Sequence, residues 1–92
     1  MRIVISYDIS DDKRRRQVAK MMEGVGFRVQ YSVFECELTK KQLQTLQRRL
    51  RPLVKKDMNE SVRFYPLPAD AVQLIQVIGA DLSRQLGIVT IV

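Results

Sequence analysis

The spacing of apolar residues changes along this chain, and the order of the changes limits the folds open to it. Arg2–Ile9 alternates as a strand does, with Ile3, Ile5 and Tyr7 sharing one face. From about Lys13 to Gly24 the spacing becomes helical, and the glycine supplies a stop. The chain therefore begins with a strand followed directly by a helix.

The middle of the chain continues with extended and helical patterns. Arg28–Leu38 is rich in Val, Tyr and Phe, as strands are. A bend near Ser32 would divide it into two strands, and the residues alone leave one strand or two open. Thr39 and Gln42 match a capping box for a second helix, whose last turn Pro52 is expected to kink or shorten.

Three further strands are predicted after the second helix. Val62–Leu67 is expected to be short or near a sheet edge, because prolines border it. Ala69–Gln73 is predicted to be a short turn that leads into a strand at Leu74–Ile78. Ile88–Val92 forms a final β-rich segment.

This order predicts an α+β domain. A ferredoxin-like βαββαβ sandwich, with two helices on one face of an antiparallel sheet, accounts for it best. The 92 residues allow a single domain, 1–92. The stability of a domain this small is marginal enough that pairing with a second copy would help.

An apolar C-terminal strand needs another strand or surface to cover it. It could join a partner subunit's sheet or pair within its own.

Charge and rare residue types limit the chemistry further. The net charge of +6 favours a polyanion such as nucleic acid, although a basic protein without such a partner would carry the same balance. The chain has no histidine and one cysteine, Cys36. A Cys/His zinc site, a histidine base and an intrachain disulfide are therefore excluded. Cys36 lies in an alternating apolar stretch and is predicted to be buried.

The location expected from the sequence is a reducing cytoplasm, with no membrane association. Met1–Ile9 is too short for a signal peptide and runs into charged residues. No apolar run approaches the ~20 residues that span a bilayer.

Asp8 is the first candidate for chemistry, because it ends an apolar strand and leads into a helix. An acid there could bind Mg²⁺, which often needs only one or two protein carboxylates and can assist phosphodiester hydrolysis. Alternatively, Asp8 accepts backbone hydrogen bonds where the chain turns. One carboxylate per chain is a weak metal site. A twofold axis that brings two copies of Asp8 together would supply a second carboxylate.

Two basic clusters could contact nucleic acid. Lys13–Arg16 places cations in a first helical turn, where they oppose the helix dipole. Phosphate contacts would explain this, and so would pairing with Asp11 and Asp12, which we interpret as caps. The second helix carries the other cluster, which could equally be a solvated face: Arg48, Arg49, Arg51, Lys55 and Lys56.

Aromatic residues on the predicted strands could stack on the bases of single-stranded RNA. The glycine-aromatic motif of RNA-recognition modules is missing, however, which weakens that reading. The aromatics concerned are Tyr7, Tyr31, Phe34, Phe64 and Tyr65.

Several stretches together resemble the second core CRISPR-associated adaptation protein family. The most specific are Ile5–Asp12, continued by the basic start of the first helix, and Gly26–Glu35. Ser61–Leu67 and Val77–Gly79 resemble two further family motifs. The resemblance covers most of the chain.

The resemblance implies a ferredoxin-like homodimer whose C-terminal strand packs onto the other subunit. Family members join a separate integrase that inserts foreign DNA as spacers, and some are Mg²⁺-dependent endonucleases on single-stranded RNA or double-stranded DNA. By family motif, Asp8 of both subunits would hold the metal, with Tyr7, Arg15, Arg28 and Phe34 in support. Some members have a further arginine where this chain has Gln17.

We therefore predict a homodimeric subunit that binds DNA or RNA with an integrase partner. Asp8 would be the Mg²⁺ ligand of an endonuclease, and Arg15 or Arg28 would offset developing charge. The rivals are a non-catalytic DNA-binding scaffold, a stand-alone toxin-like ribonuclease and a generic ferredoxin-like regulatory domain. The residues predicted to contact nucleic acid are Arg14, Arg15, Arg16, Arg48 and Arg51.

Overall fold

The computed structural model describes residues 1–83, 86–87, 89 and 91. Two short 3-10 turns, Arg51–Leu53 and Lys56–Met58, lie between the second helix and the fourth strand. The helices and strands of the described residues run in the order β1 (Arg2–Asp8), α1 (Asp12–Glu23), β2 (Gly26–Gln30), β3 (Val33–Glu37), α2 (Lys40–Leu50), β4 (Ser61–Leu67) and α3 (Ala69–Gln73).

The sheet has the strand order β2-β3-β1-β4, and every neighbouring pair is antiparallel. With α1 and α2 as the two crossovers, this is the predicted ferredoxin-like βαββαβ arrangement. β1 lies in the centre, where Ile5 is paired with Phe34 of β3 on one side and Phe64 of β4 on the other. β1 is therefore held between two neighbours up to Ser6, and its last residue, Asp8, is paired with Ser61 of β4.

The core lies between the sheet and the two long helices, which confirms that both helices pack on one face. Alternate residues of β1 and β3 meet the apolar faces of α1 and α2 there. Cys36 is fully buried in this layer, as predicted, and burial raises the pKa of its thiol to about 12. The core residues from these four elements are Ile3, Ile5, Tyr7, Val18, Met22, Phe34, Cys36, Leu46 and Leu50.

The predicted helix ends are confirmed. The Asp11 side chain caps α1 by accepting a 2.9 Å hydrogen bond from the backbone N–H of Arg14. Thr39 and Gln42 form the capping box of α2, each side chain accepting from the other residue's backbone N–H. α2 ends at Leu50, and Pro52 lies in the 3-10 turn that follows.

The extended stretch after α1 forms two strands joined by a turn at Tyr31 and Ser32. An irregularity between Arg28 and Gln30 interrupts the pairing of β2 with β3 just before the turn. This answers the question that the sequence left open near Ser32.

The predictions for residues 69–78 are wrong. Ala69–Gln73 forms the short helix α3 rather than a turn, and Leu74–Ile78 is not a strand. The backbone N–H groups of Leu74 and Ile75 donate back to α3, to the carbonyls of Ala71 and Val72. Those donors are thus used in a helical turn, so they cannot start a ladder with another strand.

α1 and α2 leave the other face of the sheet bare. Phe27 lies on that face, because its register partner Glu35 alternates with the core residues of β3. It is nevertheless buried, and it lines a concavity with Val72, Ile75 and Leu82. These residues of α3 and of the chain just after it therefore cover part of the bare face.

The final predicted strand, Ile88–Val92, lies largely outside the described residues. Of its members only Val89 and Ile91 are described, and both are partly buried against the core. Among the described helices, none is long and apolar enough to cross a membrane.

The start of β2 allows no side chain. A Cβ added at Gly26 would lie 2.1 Å from the backbone oxygen of Glu35 and 2.7 Å from Sγ of Cys36. We expect Gly26→Ala to lower the free energy of unfolding by about 1–3 kcal/mol, the usual cost of overpacking, measured by urea denaturation. Gly87→Ala is the control, because a Cβ there meets no atom of the described residues within 4 Å. Equal stability of the two variants would contradict the close packing of β2 on β3.

Candidate nucleic-acid site

A shallow pocket of about 380 Å³ opens where β1 ends. The end of β1, the first turns of α1 and the β2–β3 turn surround it, so residues distant in sequence meet there. We call it the basic pocket, because three of its side chains are arginines. It is lined by Tyr7, Asp8, Ile9, Arg15, Arg16, Ala19, Arg28, Tyr31 and Ser32.

Tyr7 fastens the β2–β3 turn to the pocket. Its hydroxyl donates to the carbonyl oxygen of Tyr31 at 3.3 Å, and its backbone N–H donates to that of Ser32 at 3.0 Å. Its ring is stacked with Phe34, with the ring centroids 6.3 Å apart. Burial raises the pKa of the Tyr7 phenol, with Arg28 acting in the opposite direction. The phenol is therefore neutral and serves as a hydrogen-bond donor.

Arg28 projects from β2 toward the pocket. Its guanidinium carbon lies 5.2 Å from the centroid of the Phe34 ring, within the range of a cation–π contact. One of its nitrogens lies 3.4 Å from a carboxylate oxygen of Glu23, which is largely exposed. An exposed pair of this kind contributes little energy, so Arg28 remains available to an anionic ligand.

Arg15 and Arg16 enter from α1. Arg15 donates to the carbonyl oxygen of Ile9 at 3.0 Å and pairs with the exposed carboxylate of Asp12. Arg16 forms no ion pair within the described part of the chain. The pocket thus presents three guanidinium groups of which two have solvent-exposed partners.

Asp8 is the pocket's one carboxylate, and its side chain is exposed. None of the described residues donates a hydrogen bond to it, so the alternative role of backbone acceptor finds no support. No group of three or more His, Cys, Asp or Glu in the described ranges could hold a metal. In this pocket one chain would offer Mg²⁺ a single carboxylate, which fits the ion where water, phosphate or a second chain supplies further oxygen ligands.

The sequence analysis missed Glu60, the buried acid beside the pocket. Its side chain is 1 % exposed. It accepts hydrogen bonds from the backbone N–H of Ser10 at 3.0 Å, the Ser10 hydroxyl at 2.6 Å and the backbone N–H of Lys55 at 2.9 Å. Both terminal nitrogens of Arg14 also donate to it. One carboxylate thereby joins the loop after β1 to α1 and to the start of β4.

This network gives Arg14 a different place from the one expected. Arg14 is occupied by Glu60 and by the carbonyl oxygen of Leu53, to which it donates at 2.9 Å. Its guanidinium is therefore already paired within the chain, and its contact with nucleic acid stays a prediction. No local pattern marks the pair, because Arg14 and Glu60 are 46 positions apart and Glu60 lies in a polar loop.

The second basic cluster lies away from the pocket, on and just after α2. Arg48 and Arg51 are exposed there and form no ion pair with any described residue. The structure therefore brings together the predicted residues Tyr7, Asp8, Arg15 and Arg28, with Phe34 beneath them, and keeps the α2 cations separate.

The fold and the pocket define a ferredoxin-like α+β domain with a cationic concavity at the end of its central strand. The sequence profile described as CRISPR associated protein Cas2 matches residues 1–74. The chain belongs to this Cas2 family.

Relatives and solved structures of that family are similar over most of their length. CRISPR-associated endoribonuclease Cas2 3 of Synechocystis sp. is 47 % identical over 76 residues, covering 83 % of this chain and 82 % of the relative. The crystal structure of Streptococcus pyogenes Cas2 superimposes with a TM-score of 0.73 at 32 % identity, covering 86 % of this chain and all of that one. A chain of a partial Cas6-RT-Cas1–Cas2 complex superimposes with a TM-score of 0.69 at 30 % identity, covering 84 % and 89 %.

The buried Glu60 network makes a pH-dependent prediction. Hydrogen bonds from Arg14, Ser10 and the Lys55 amide hold the pKa of the Glu60 carboxyl far below its ordinary value of 4.5. Because the unfolded chain takes up its proton at higher pH than the folded one, this stabilisation is complete above about pH 5 and is lost as the pH falls below it. We expect Glu60→Gln to lower the melting temperature at pH 7 by at least about 10 °C. Because Gln does not titrate, the melting temperature of the variant should also fall less between pH 5 and pH 3 than that of the wild type.

Asp57→Asn is the matched control, because Asp57 is an exposed acid in the same loop. Thermal melts from pH 3 to pH 8 would compare both variants with the wild type. An unchanged melting temperature in Glu60→Gln would contradict the assigned network.

Proposed function

We propose that this protein is a homodimeric, nucleic-acid-binding subunit of CRISPR adaptation, acting in the cytoplasm with a Cas1-type integrase and able to cleave phosphodiester bonds with Mg²⁺. The observation that carries the proposal is the basic pocket, where Arg15, Arg16 and Arg28 surround the exposed Asp8. Guanidinium forks suit phosphate oxygens, and membership of the Cas2 family supports the pathway.

Nucleic acid is the ligand that the surface charge favours. The net charge is +6, and Arg16, Arg48 and Arg51 are exposed cations without ion pairs to any other described residue. Such cations replace the counterions of a phosphate backbone, so binding should weaken steeply with salt. The pocket and the α2 cluster would then contact different parts of one duplex or of two strands.

A homodimer is supported by the surface that a single chain leaves open. Leu74 is 77 % exposed and Ile78 is fully exposed, close to the half-exposed Val77. No described strand pairs with the outer edge of β4. Exposed apolar side chains and an unpaired sheet edge each favour association with a second chain.

Dimerisation would also change the number of carboxylates available to Mg²⁺. Asp8 would hold Mg²⁺, and a second copy of Asp8 across a twofold axis would supply the second carboxylate. Bound there, the ion would neutralise phosphate charge and lower the pKa of a coordinated water. Arg15 and Arg28 would hold the phosphate and offset the charge that develops on it. Tyr7 would keep the β2–β3 turn in place.

The integrase and the nuclease activity are supported by the similar proteins. One solved neighbour is a chain of a partial Cas6-RT-Cas1–Cas2 complex, and similar curated proteins carry the name endoribonuclease. We extend both properties to this chain because the matches cover most of it.

A non-catalytic scaffold is the second candidate, and one observation favours it. The pocket holds one carboxylate against three guanidinium groups, a balance that suits binding a phosphate better than binding a metal. In that case the protein would present DNA to the integrase without cutting it.

Removal of the Asp8 carboxylate tests the catalytic proposal. We expect the wild type to cleave labelled single-stranded RNA or duplex DNA with Mg²⁺ and not with EDTA. Asp8→Asn should lose at least about 100-fold in cleavage rate, since it loses the metal ligand. It should still bind the same substrates, because the arginines remain.

Asp57→Asn is again the control, and it should cleave as the wild type does. Circular dichroism and sedimentation would show that Asp8→Asn keeps its fold and mass. Equal cleavage by Asp8→Asn and the wild type would overturn Asp8 as the metal ligand. No cleavage by either protein, with binding retained, would replace the enzyme by the scaffold.

A substitution in the exposed segment 74–78, which follows α3, tests the dimer. We expect the wild type to sediment at twice the 10.7 kDa chain mass. Ile78→Glu should weaken self-association at least about 10-fold, because it places a charge on the apolar surface. Met58→Glu is the control, an exposed apolar residue outside that segment. A monomeric wild type would contradict the proposed dimer.

A further inference from the structure

Tyr31 stands at the rim of the basic pocket with 91 % of its surface exposed. It occupies the first position of the two-residue turn between β2 and β3. A side chain this exposed contributes little to the core, and its ring faces are available to a ligand.

The turn that carries Tyr31 is held in place from below. The Tyr7 hydroxyl donates to the Tyr31 carbonyl oxygen, and the Tyr7 backbone N–H donates to the Ser32 carbonyl oxygen. Tyr7 is itself buried and stacked on Phe34. The backbone of the turn is thus fixed before a ligand arrives, which lowers the ordering cost of binding.

The side chains of the basic pocket suit the two parts of a nucleotide, its phosphate and its base. Arg15, Arg16 and Arg28 line the same concavity and can hold phosphate oxygens. An exposed tyrosine ring can stack on any base, because every base has a π-face. The volume of about 380 Å³ lies within the ~300–1,000 Å³ of small-molecule sites.

We propose that Tyr31 is a stacking platform for an unpaired base, while the three arginines of the basic pocket hold the adjacent phosphate. The ligand class is single-stranded nucleic acid, either a free strand or the unpaired end of a duplex. Bases inside a duplex stack on each other and offer no free face to the ring. This inference rests on the proposed nucleic-acid binding and deepens it by assigning the contact with an unpaired base to Tyr31.

The absence of tryptophan from the chain provides a direct readout. In Tyr31→Trp the new side chain is the sole tryptophan, so a stacked base should quench its fluorescence. A short oligothymidylate is the probe, and an abasic strand of equal length is its control. We expect quenching with the first and little with the second.

Affinity measurements complete the test. Tyr31→Ala should weaken oligothymidylate binding at least about fivefold, the loss expected for one stacked base, and leave binding to a blunt duplex unchanged. Tyr31→Phe should retain wild-type affinity, because the ring and not the hydroxyl makes the contact. Tyr65→Ala removes a 46 % exposed tyrosine outside the pocket and should change neither affinity.

The outcomes separate this inference from the proposed function. If the wild type binds neither the oligothymidylate nor the blunt duplex, nucleic-acid binding fails and the inference fails with it. If the wild type binds both of these ligands and Tyr31→Ala binds both as tightly as the wild type does, the stacking platform alone is overturned. Loss of the dimer in Tyr31→Ala, seen by sedimentation, would assign Tyr31 to a subunit contact and also overturn it.

Discussion

The Glu60 carboxylate ties together the parts of the molecule that carry the pocket. It is buried, and its donors come from the loop after β1, from α1 and from the segment before β4. Ser10, one of those donors, lies two residues beyond Asp8, and Arg14 lies one residue before Arg15. A carboxylate that loses its donors at such a site is costly to keep ionised. Because Glu60 joins both segments, the end of β1 and the first turn of α1 keep a fixed relation.

A second constraint comes from the central place of β1. Its alternate residues Ile3, Ile5 and Tyr7 are all buried against α1 and α2, so its register cannot slip by one residue without exposing them. That register places Asp8 at the strand end opposite Ser61. The same alternation turns Tyr7 toward Phe34 and the β2–β3 turn. The geometry of the pocket is therefore a consequence of the core.

The electrostatics of the pocket agree with a binding role more readily than with a complete metal site in one chain. Three guanidinium groups surround Asp8, and the acids that pair with two of them, Asp12 and Glu23, are exposed. A phosphate can compete for such arginines, since exposed pairs are weak. A metal needs further oxygen ligands, which makes any catalysis depend on a second chain or on the substrate. The proposed binding and the proposed cleavage are thus separable functions of the same pocket.

The sequence by itself determined the local features and the fold. Alternation marked β1, the Asp11 cap and the Thr39 capping box marked the helix starts, and the order of elements predicted the ferredoxin-like sheet. Those signals arise between residues a few positions apart, so they can be seen in one sequence. Only the tertiary structure decided that Arg14 belongs to a buried ion pair with Glu60, because that contact joins residues far apart in the chain. It also decided that Leu74–Ile78 is not a strand, because β propensity forms a strand only where a partner edge accepts its hydrogen bonds.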